Sequence, residues 1–532
     1  MFKYFPSLVS NTTTALGLLL LLSPLHAADV KVHTGEEMLN GRLENGINIF
    51  RGIPFAQPPV QTLRWQAPQP PIARDGIQDA TQFAAACMQT HYNTEWYQDV
   101  MTTFDADITR APVPRSVSED CLYLNIWSPD LTAKKKLAVM VFIHGGNNQG
   151  GWSYEPNYLS DALAAKGVIV VTIAYRMHVF GFMAHPELSL ESASGSSGNY
   201  GLLDQIAALK WVNQHIEHFG GDANNITLFG ESAGAANIGA LMLSPLADGL
   251  YKNAIRQSGT FDINYRDTLK NEEVFGEEFT DSLGLTSIKQ LRYVPADKIL
   301  EAAEKYYLHD YNNNERSYFY AAIDNNFLSD SVANLYKLGK ISSANVLLGN
   351  NADEKLMYTM AKPTEQDLHQ FIDQYFKPGT KAKVLSLVNH RPSLRAQLAD
   401  LKQAWEYSCT AQTQAAALSK RAIGDIYRYY FTRQRAGIGG ERIGVYHGAE
   451  LPYVFNTHDS WLPTDATDTT LTATMMNYWV NFAKTGNPNG QGLTQWPRYN
   501  TESRLSLELG DTVQVIDAPD QALCQFLKSP QP

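Results

Sequence analysis

A serine with a glycine two residues away on either side is the first candidate for chemistry. Ser232 is the central residue of the stretch G-E-S-A-G (residues 230–234), which has the pattern G-x-S-x-G. The motif directly follows a short apolar run ending at Phe229 and precedes a stretch rich in helix formers. A sharp turn from strand to helix exposes such a serine oxygen at the edge of a sheet, and the glycines relieve crowding. This context predicts a nucleophile, although a helix N-terminus can also favour glycine and serine.

A second glycine-rich turn, H-G-G-N (residues 144–147), follows the continuous apolar run 137–143. Glycines let backbone N–H groups approach a substrate carbonyl closely. Such donors are worth about 3–4 kcal/mol each in a dry site. Seen alone, the turn could merely join a strand to a loop. Together with the serine motif it predicts an oxyanion hole, built from the backbone of Gly145, Gly146, Asn147 and Ala233.

A serine hydroxyl needs a base to take its proton, and the base needs an acid to fix its tautomer. In serine hydrolases with such a turn, the chain order is serine, then Asp or Glu, then histidine. The chain has 13 histidines, so order alone does not choose. The stretch 349–354 follows an apolar run and offers two acids, Asp353 and Glu354. The stretch 444–451 offers His447 as the base.

The elements around these motifs alternate between two patterns. Continuous apolar runs predict strands buried on both faces at 137–143, 168–174, 225–229 and 346–348, and an alternating run predicts a further strand at 122–127. Helical patterns follow at 204–215 and 233–243. The order predicts an α/β fold on a mainly parallel sheet. Residues 88–118 are expected to form a long loop, and residues 265–340 and 360–435 a helical cap.

Five ordered stretches of the chain resemble the type B carboxylesterase family, which includes para-nitrobenzyl esterases, carboxylesterases and cholinesterases. Two carry its signatures, E-D-C-L-Y-L-N (119–125) and F-G-E-S-A-G (229–234). The others are F-R-G-I-P-F-A (50–56), G-N-Y-G-L-L-D-Q (198–205) and N-F-A-K-T-G-N-P (481–488). The resemblance covers nearly the whole chain after residue 27. It implies the α/β-hydrolase fold as a single large domain, residues 28–532, with helical and loop insertions capping the active site.

The resemblance also assigns site residues. In the family's acid loop Glu follows Asp, which favours Glu354 over Asp353, and the family's histidine loop matches His447. His144 belongs to the oxyanion turn, whereas His178, His215 and His218 are expected at the surface or in packing. Four cysteines allow three pairings. The cholinesterase branch implies the bridges Cys87–Cys121 and Cys409–Cys524, against the alternative of four free thiols.

The chain departs from the family at several places. Asn147 replaces a glycine or alanine, Asn148 stands where an aromatic is frequent, and Lys355 replaces a glycine. Asn147 adds a polar side chain beside the reacting carbonyl, which could change acyl preference. The tryptophan that holds choline in cholinesterases is missing from its usual place, so choline esters are not the first expectation, and Trp96 and Tyr97 lie elsewhere in the loop. Pocket-lining or helix-packing aromatics are expected at Tyr306, Tyr307, Tyr311, Tyr318, Phe319 and Tyr320.

Composition and charge exclude several classes of protein. The 532 residues have a formal net charge of −11, which argues against nucleic-acid or anionic-membrane binding. No H-E-x-x-H, C-x-x-C or G-x-G-x-x-G motif is present, so no metal or other cofactor is expected. Residues 1–27 have a charged start, an apolar middle and a small residue at a cut after Ala27. They predict a signal peptide and a secreted or periplasmic protein, monomeric or dimeric.

The sequence thus predicts an exported serine carboxylesterase that acts through an acyl-enzyme on small-molecule esters of short-to-medium acyl chains. Two alternatives stay open. The same triad would serve a lipase or a specialised hydrolase of toxin, polyester or carbamate esters. A non-catalytic binding protein on the same fold is less compatible with an intact set of Ser232, Glu354 and His447.

Overall fold

The computed structural model describes residues 28–259, 267–313, 319–421 and 423–528. The predicted signal peptide (1–27) and Tyr318 lie outside the described residues, as do the side chains of Tyr307 and Tyr311. Among the described residues, none of the helices combines the length and apolar character needed to cross a bilayer.

One large mixed sheet organises the described chain. Its strands lie in the order β1-β2-β3-β7-β9-β8-β10-β11-β12-β13-β14-β15, with β4 beside β2, and β5 and β6 form a separate small pair. The strands are β1 Ala28–His33, β2 Met38–Glu44, β3 Ile47–Pro54, β4 Ile77–Asp79, β5 Ala86–Cys87, β6 Val117–Ser118, β7 Tyr123–Ser128, β8 Leu137–Ile143, β9 Ile169–Ile173, β10 Gly221–Glu231, β11 Asn253–Gln257, β12 Asn345–Asn351, β13 Ile426–Phe431, β14 Ser506–Leu509 and β15 Val513–Ile516.

The centre of the sheet is parallel and buried on both faces. Each neighbouring pair from β9 to β14 runs parallel, and the antiparallel pairs lie toward the two edges. Along β8 the side chains alternate between two clusters: Val139 and Val141 pack in one, and Met140 and Phe142 pack in the other. A strand covered on both faces reads as an unbroken apolar run. The prediction of an α/β fold on a mainly parallel sheet is confirmed.

Helices cover both faces of this sheet. In the first cluster α5 and α6 contribute Leu209 and Ile238, and in the second α17 contributes Met475 and Trp479. The helices are α1 Tyr92–Thr103, α2 Asp161–Ala164, α3 His178–Phe182, α4 Pro186–Glu191, α5 Tyr200–His215, α6 Ala233–Leu243, α7 Leu269–Ser282, α8 Ile288–Leu291, α9 Ala296–Asn313, α10 Val332–Leu338, α11 Glu365–Tyr375, α12 Lys381–Val388, α13 Leu394–Gln403, α14 Cys409–Arg421, α15 Ile438–Ile443, α16 Leu451–Phe455, α17 Ala466–Thr485 and α18 Gln521–Cys524.

Two predictions of local structure were wrong. The expected loop 88–118 contains helix α1, whose buried face includes the polar Asn93 as well as Tyr97 and Met101, so its hydrophobic pattern is weak. The expected helical stretch 360–435 includes strand β13, in which Arg428 is fully buried in the middle of an aromatic run. A charged residue at a core position hides the strand from a hydrophobicity pattern.

Two of the aromatic residues expected in the cap, Tyr306 and Phe319, pack against helix α7. Phe275 and Phe279 on α7 contact Tyr306 on α9 and Phe319, with ring centroids 5.1–5.7 Å apart. Phe319 is buried in the same cluster as the sheet residues. Of the two readings of these aromatics, the structure supports helix packing for Tyr306 and Phe319.

Two disulfides brace the chain at places remote in sequence. Cys87 pairs with Cys121, which closes the segment that contains α1, and Cys409 pairs with Cys524, which joins α14 to α18. Among the described residues no cysteine is free. Both pairings implied by the family resemblance are therefore present.

Removing the second bridge tests its contribution to stability. We expect the double variant Cys409→Ala with Cys524→Ala to lose about 2–5 kcal/mol of unfolding free energy, because the bridge closes a long loop in the unfolded chain. Urea unfolding of both proteins followed by tryptophan fluorescence measures the difference. An unchanged unfolding midpoint would show that contacts of α18 hold the C-terminus without the bridge.

Candidate active site

Ser232 lies on a sharp turn between strand β10 and helix α6. Its backbone has φ +54° and ψ −124°, a conformation rare outside glycine. An added Cβ at Gly230 would lie 2.7 Å from the carbonyl oxygen of Ile143, and one at Gly234 would clash with the same atom. Both glycines of the G-x-S-x-G motif are therefore required by the close approach of the turn to the end of β8.

Three side chains form an unbroken chain of hydrogen bonds at this turn. The Oγ atom of Ser232 lies 2.7 Å from Nε2 of His447, and Nδ1 of His447 lies 2.6 Å from Oε2 of Glu354. Glu354 is fully buried, whereas His447 retains slight exposure. The structure thus brings together the three residues that the sequence singled out as nucleophile, base and acid. This arrangement can move a proton from the serine to the imidazole and hold the imidazolium against a carboxylate.

The two acids of the loop after β12 have different partners. Asp353 pairs with Arg391 at 2.6 Å and accepts a hydrogen bond from the backbone N–H of Val445. Glu354 faces His447, and its other oxygen accepts the N–H of Asn351 at 2.6 Å. Only Glu354 of this pair contacts the imidazole, which matches the choice implied by the resemblance.

The remaining histidines that were considered do not contact Ser232 in the described chain. His144 is buried and stacks on Tyr175, and burial lowers its pKa to about 4. His178 is also buried, with a ring 6.1 Å from that of Phe319. His215 packs on Trp211, and His218 is exposed. These are packing and surface positions, as expected.

The turn after β8 lies beside the serine. A Cβ on Gly145 would lie only 3.0 Å from the Cβ of Ser232. Gly146, Asn147 and Asn148 all have positive φ angles, of +98°, +56° and +56°. Within the described residues no backbone hydrogen bond engages the N–H of Gly146 or Asn147, and Ala233 begins α6, where an N–H has no partner inside the helix. These amides are available to an oxygen atom bound near Ser232.

A cleft opens beside Ser232 and His447, and aromatic rings form much of its wall. Its lining includes Tyr92, Trp96, Tyr158, Tyr358 and Leu451. The sequence pattern places Trp96 in a loop, but helix α1 carries it to the cleft. The sequence pattern did not predict helix α1. This helix places Trp96 beside Gly448, the residue that follows the base.

A buried carboxylate fastens α1 to the oxyanion side of the cleft. Glu155 accepts hydrogen bonds from the Nδ2 atom of Asn93 at 2.8 Å, from the hydroxyl of Tyr97 at 3.0 Å and from the N–H of Trp152 at 3.1 Å. Burial raises its pKa to about 7. These bonds fix the orientation of the helix and hence of Trp96.

Several acids surround the imidazole of His447. Burial opposes its charged form, but the carboxylates of Glu231, Glu354 and Glu450 outweigh burial and raise the pKa of His447 to about 9. Glu231 lies 3.3 Å from Nε2 of His447, and burial raises the pKa of Glu231 above its usual range. Because the pKa values of both His447 and Glu231 are raised, the pair favours holding a proton. The rings of Tyr358 and Tyr407 flank the imidazole.

The fold and this site define a hydrolase class, and comparison with known proteins agrees. The sequence profile of the carboxylesterase family matches residues 28–527, and the chain belongs to this family. Para-nitrobenzyl esterase from Bacillus subtilis (strain 168) is 33% identical over 503 residues, which cover 92% of this chain and 96% of that protein. Fumonisin B1 esterase from Sphingopyxis macrogoltabida is 34% identical over 505 residues, covering 89% of this chain and 85% of that protein.

Solved structures give the same result. A para-nitrobenzyl esterase structure superposes with a TM-score of 0.79 at 30% identity, covering 94% of this chain and 99% of that one. A carboxylesterase from Geobacillus stearothermophilus has a TM-score of 0.79 at 30% identity, with 93% and 99% covered. The family resemblance and the α/β-hydrolase fold are confirmed, and the chain is a carboxylic ester hydrolase.

The charge on Glu231 can be tested through the pH dependence of ester hydrolysis. His447 must be neutral to accept a proton, so kcat/KM should rise with pH through the pKa of His447. Replacing Glu231→Gln removes a nearby negative charge and should lower that pKa, which shifts the acidic limb by about one pH unit toward lower pH. The measurement is kcat/KM against pH for both proteins.

Glu508→Gln, on β14 beside the edge strand β15, is the matched control for the loss of one carboxylate. Its profile should coincide with that of the wild type. An unshifted limb in Glu231→Gln would mean that Glu231 already holds a proton over this range.

Proposed function

We propose that the protein hydrolyses carboxylic esters through an acyl-enzyme formed on Ser232. The observation that carries the proposal is the continuous hydrogen-bonded chain Ser232–His447–Glu354 beside a turn with unengaged backbone amides. In this proposal Ser232 is the nucleophile, His447 the general base and acid, and Glu354 the group that holds the imidazole.

The proposed reaction has two halves. His447 takes the proton of Ser232 as the serine oxygen attacks the ester carbonyl, and the amides of Gly146, Asn147 and Ala233 stabilise the oxyanion, with Gly145 allowing their close approach. His447 then protonates the leaving alcohol. Water, activated by the same histidine, attacks the acyl-enzyme, and Ser232 leaves with its proton restored.

The aromatic cleft supports esters with an apolar or aromatic group. The rings of Tyr92, Trp96 and Tyr358 offer a broad apolar surface next to Ser232. We propose short-to-medium acyl chains as substrates. A specialised ester is the second candidate, supported by the polar Asn147 and Asn148 at the oxyanion turn and by the relative that is named for fumonisin B1.

We propose that the protein acts outside the cytoplasm, after removal of residues 1–27. The two disulfides support this, because such bridges persist in oxidising compartments. Expression of the full chain followed by fractionation and N-terminal sequencing tests the proposal. The expected product begins at Ala28 in the exported fraction. An uncleaved chain retained in the cytoplasm would contradict it.

Loss of the nucleophile is the direct test of the mechanism. Ser232→Ala should lower kcat for para-nitrophenyl esters by about 10⁶-fold, because without the hydroxyl no acyl-enzyme forms. Assays of both proteins on a series of acyl lengths also give the chain-length profile. A maximum at short or medium chains is expected, whereas a rise toward long chains would indicate a lipase.

Ser386→Ala is a suitable control, since Ser386 is an exposed serine on α12. It should retain wild-type rates. A fluorophosphonate probe should label the wild type at Ser232 and leave Ser232→Ala unlabelled, as read by peptide mass spectrometry. A folded wild type that neither turns over any ester nor takes the label would overturn the proposal in favour of a binding protein.

A further inference from the structure

We propose that Asn237 is a positioning residue that holds the oxyanion turn at its far end, through Asn148. The inference rests on the proposed function, because it concerns the amides that would bind the oxyanion. Asn237 lies on α6, five residues after Ser232, and is 2% exposed. It does not contact Ser232 or His447 through any hydrogen bond in the described chain.

The far end of the turn is held by a reciprocal amide pair. Nδ2 of Asn237 donates to Oδ1 of Asn148 at 2.9 Å, and Nδ2 of Asn148 approaches Oδ1 of Asn237 at 3.4 Å. The carbonyl oxygen of Asn148 accepts the backbone N–H of His178 at 2.7 Å. Asn148 is thereby fixed through both its side chain and its backbone.

The near end of the turn is held through a tyrosine. The hydroxyl of Tyr175 donates to the carbonyl oxygen of His144 at 2.9 Å, and the Tyr175 ring stacks on that of His144 at 4.5 Å. The buried Asn237 on α6 therefore holds the residue after Asn147, while Tyr175 holds the residue before the turn's glycines.

This connection matters because the donors come from two separate elements. The amides of Gly146 and Asn147 belong to the turn after β8, whereas the amide of Ala233 is the first of α6. Donors for an oxyanion must lie within about 2.7–3.1 Å of one point, so the turn and the helix must keep a fixed spacing. Asn237 lies on the same helix as Ala233 and hydrogen-bonds to Asn148 of the turn. This bond fixes the distance between the helix and the turn.

The backbone conformation of the turn requires a contact that holds it in place. Asn147 and Asn148 both have φ +56°, a left-handed conformation that costs free energy in residues other than glycine. A strained backbone conformation persists only where the contacts around it hold it in place. The bond from Asn237 to Asn148 and the bond from Tyr175 to His144 hold the turn in this conformation.

The experiment compares Asn237→Ala and Asn148→Gly with the wild type on para-nitrophenyl esters. Asn148→Gly removes the same pair from the other side and tolerates a positive φ. Loss of a whole oxyanion donor costs about 10²–10³-fold in kcat. Misplaced donors should therefore lower kcat by about 10–100-fold in Asn237→Ala, with KM within about twofold. Asn148→Gly should lower kcat by a similar factor, because it breaks the same amide pair.

Two further readouts separate positioning from stability. The double variant should be no slower than Asn237→Ala alone, since both changes break one interaction. The affinity for a trifluoromethyl ketone, whose adduct with the serine carries an oxyanion, should fall by the same factor as kcat. The control is Asn213→Ala on α5, which removes a side-chain bond to the carbonyl of Leu250. It should lower the Tm without changing kcat.

The outcomes separate this inference from the proposed function. An inactive, folded wild type would overturn the proposed function. An active wild type with Asn237→Ala and Asn148→Gly at full kcat and full ketone affinity would overturn the inference alone. A fall in Tm without a fall in kcat, as expected for Asn213→Ala, would likewise assign Asn237 a purely structural role and overturn the inference.

Discussion

The site depends on one contact between backbones, the approach of the nucleophile turn to the end of strand β8. Ile143 pairs in register with Gly230, and neither Gly230 nor Gly234 leaves room for a side chain against the Ile143 carbonyl. Because these two backbone segments meet with no side chain between them, α6 begins directly beside the turn that follows β8. The serine and the amides of two separate elements consequently lie next to one another before any side chain is considered.

The parallel sheet then gathers the other two members of the triad. Strand β12 ends at Asn351, whose N–H binds Glu354 and whose side chain donates to the carbonyl of Tyr446 at 2.8 Å and to Glu450 at 2.6 Å. Asn351 thus ties the acid loop to the loop that bears His447. Gln257, at the end of β11, donates to the other oxygen of Glu450. Loops from neighbouring strands are linked by buried side chains in place of further secondary structure.

The sequence predicts those strands and helices whose hydrophobic pattern or composition is evident within a short stretch of residues. The apolar runs of β8, β9 and β12 predicted strands, and helix α6 has the bounds that its composition indicated. The choice of Glu354 over Asp353 came from family resemblance, since two adjacent acids in a loop offer no local reason to prefer one. The structure supplies the reason: Asp353 is engaged by Arg391, and of these two acids only Glu354 contacts the imidazole.

The features that sequence reasoning missed depend on tertiary contacts. Trp96 reaches the cleft because Glu155, some 60 positions away, bonds to Asn93 and Tyr97 on the same helix. Arg428 of β13 and Asn237, the partner of the half-buried Asn148, are polar residues at buried positions, where a hydrophobic pattern predicts none. In each case the partner that stabilises the polar group is distant in the chain.

The two disulfides differ in when the growing chain can form them. Cys87 and Cys121 are 34 residues apart, so both are present once the first quarter of the chain has been made. Cys409 must wait for Cys524, near the end of the sequence, and its partner lies on the last described helix. A chain that stops before Cys524 keeps a thiol at Cys409 that a chain extending past Cys524 does not have. The second bridge therefore distinguishes chains that include α18 from chains that stop before it by a simple chemical difference.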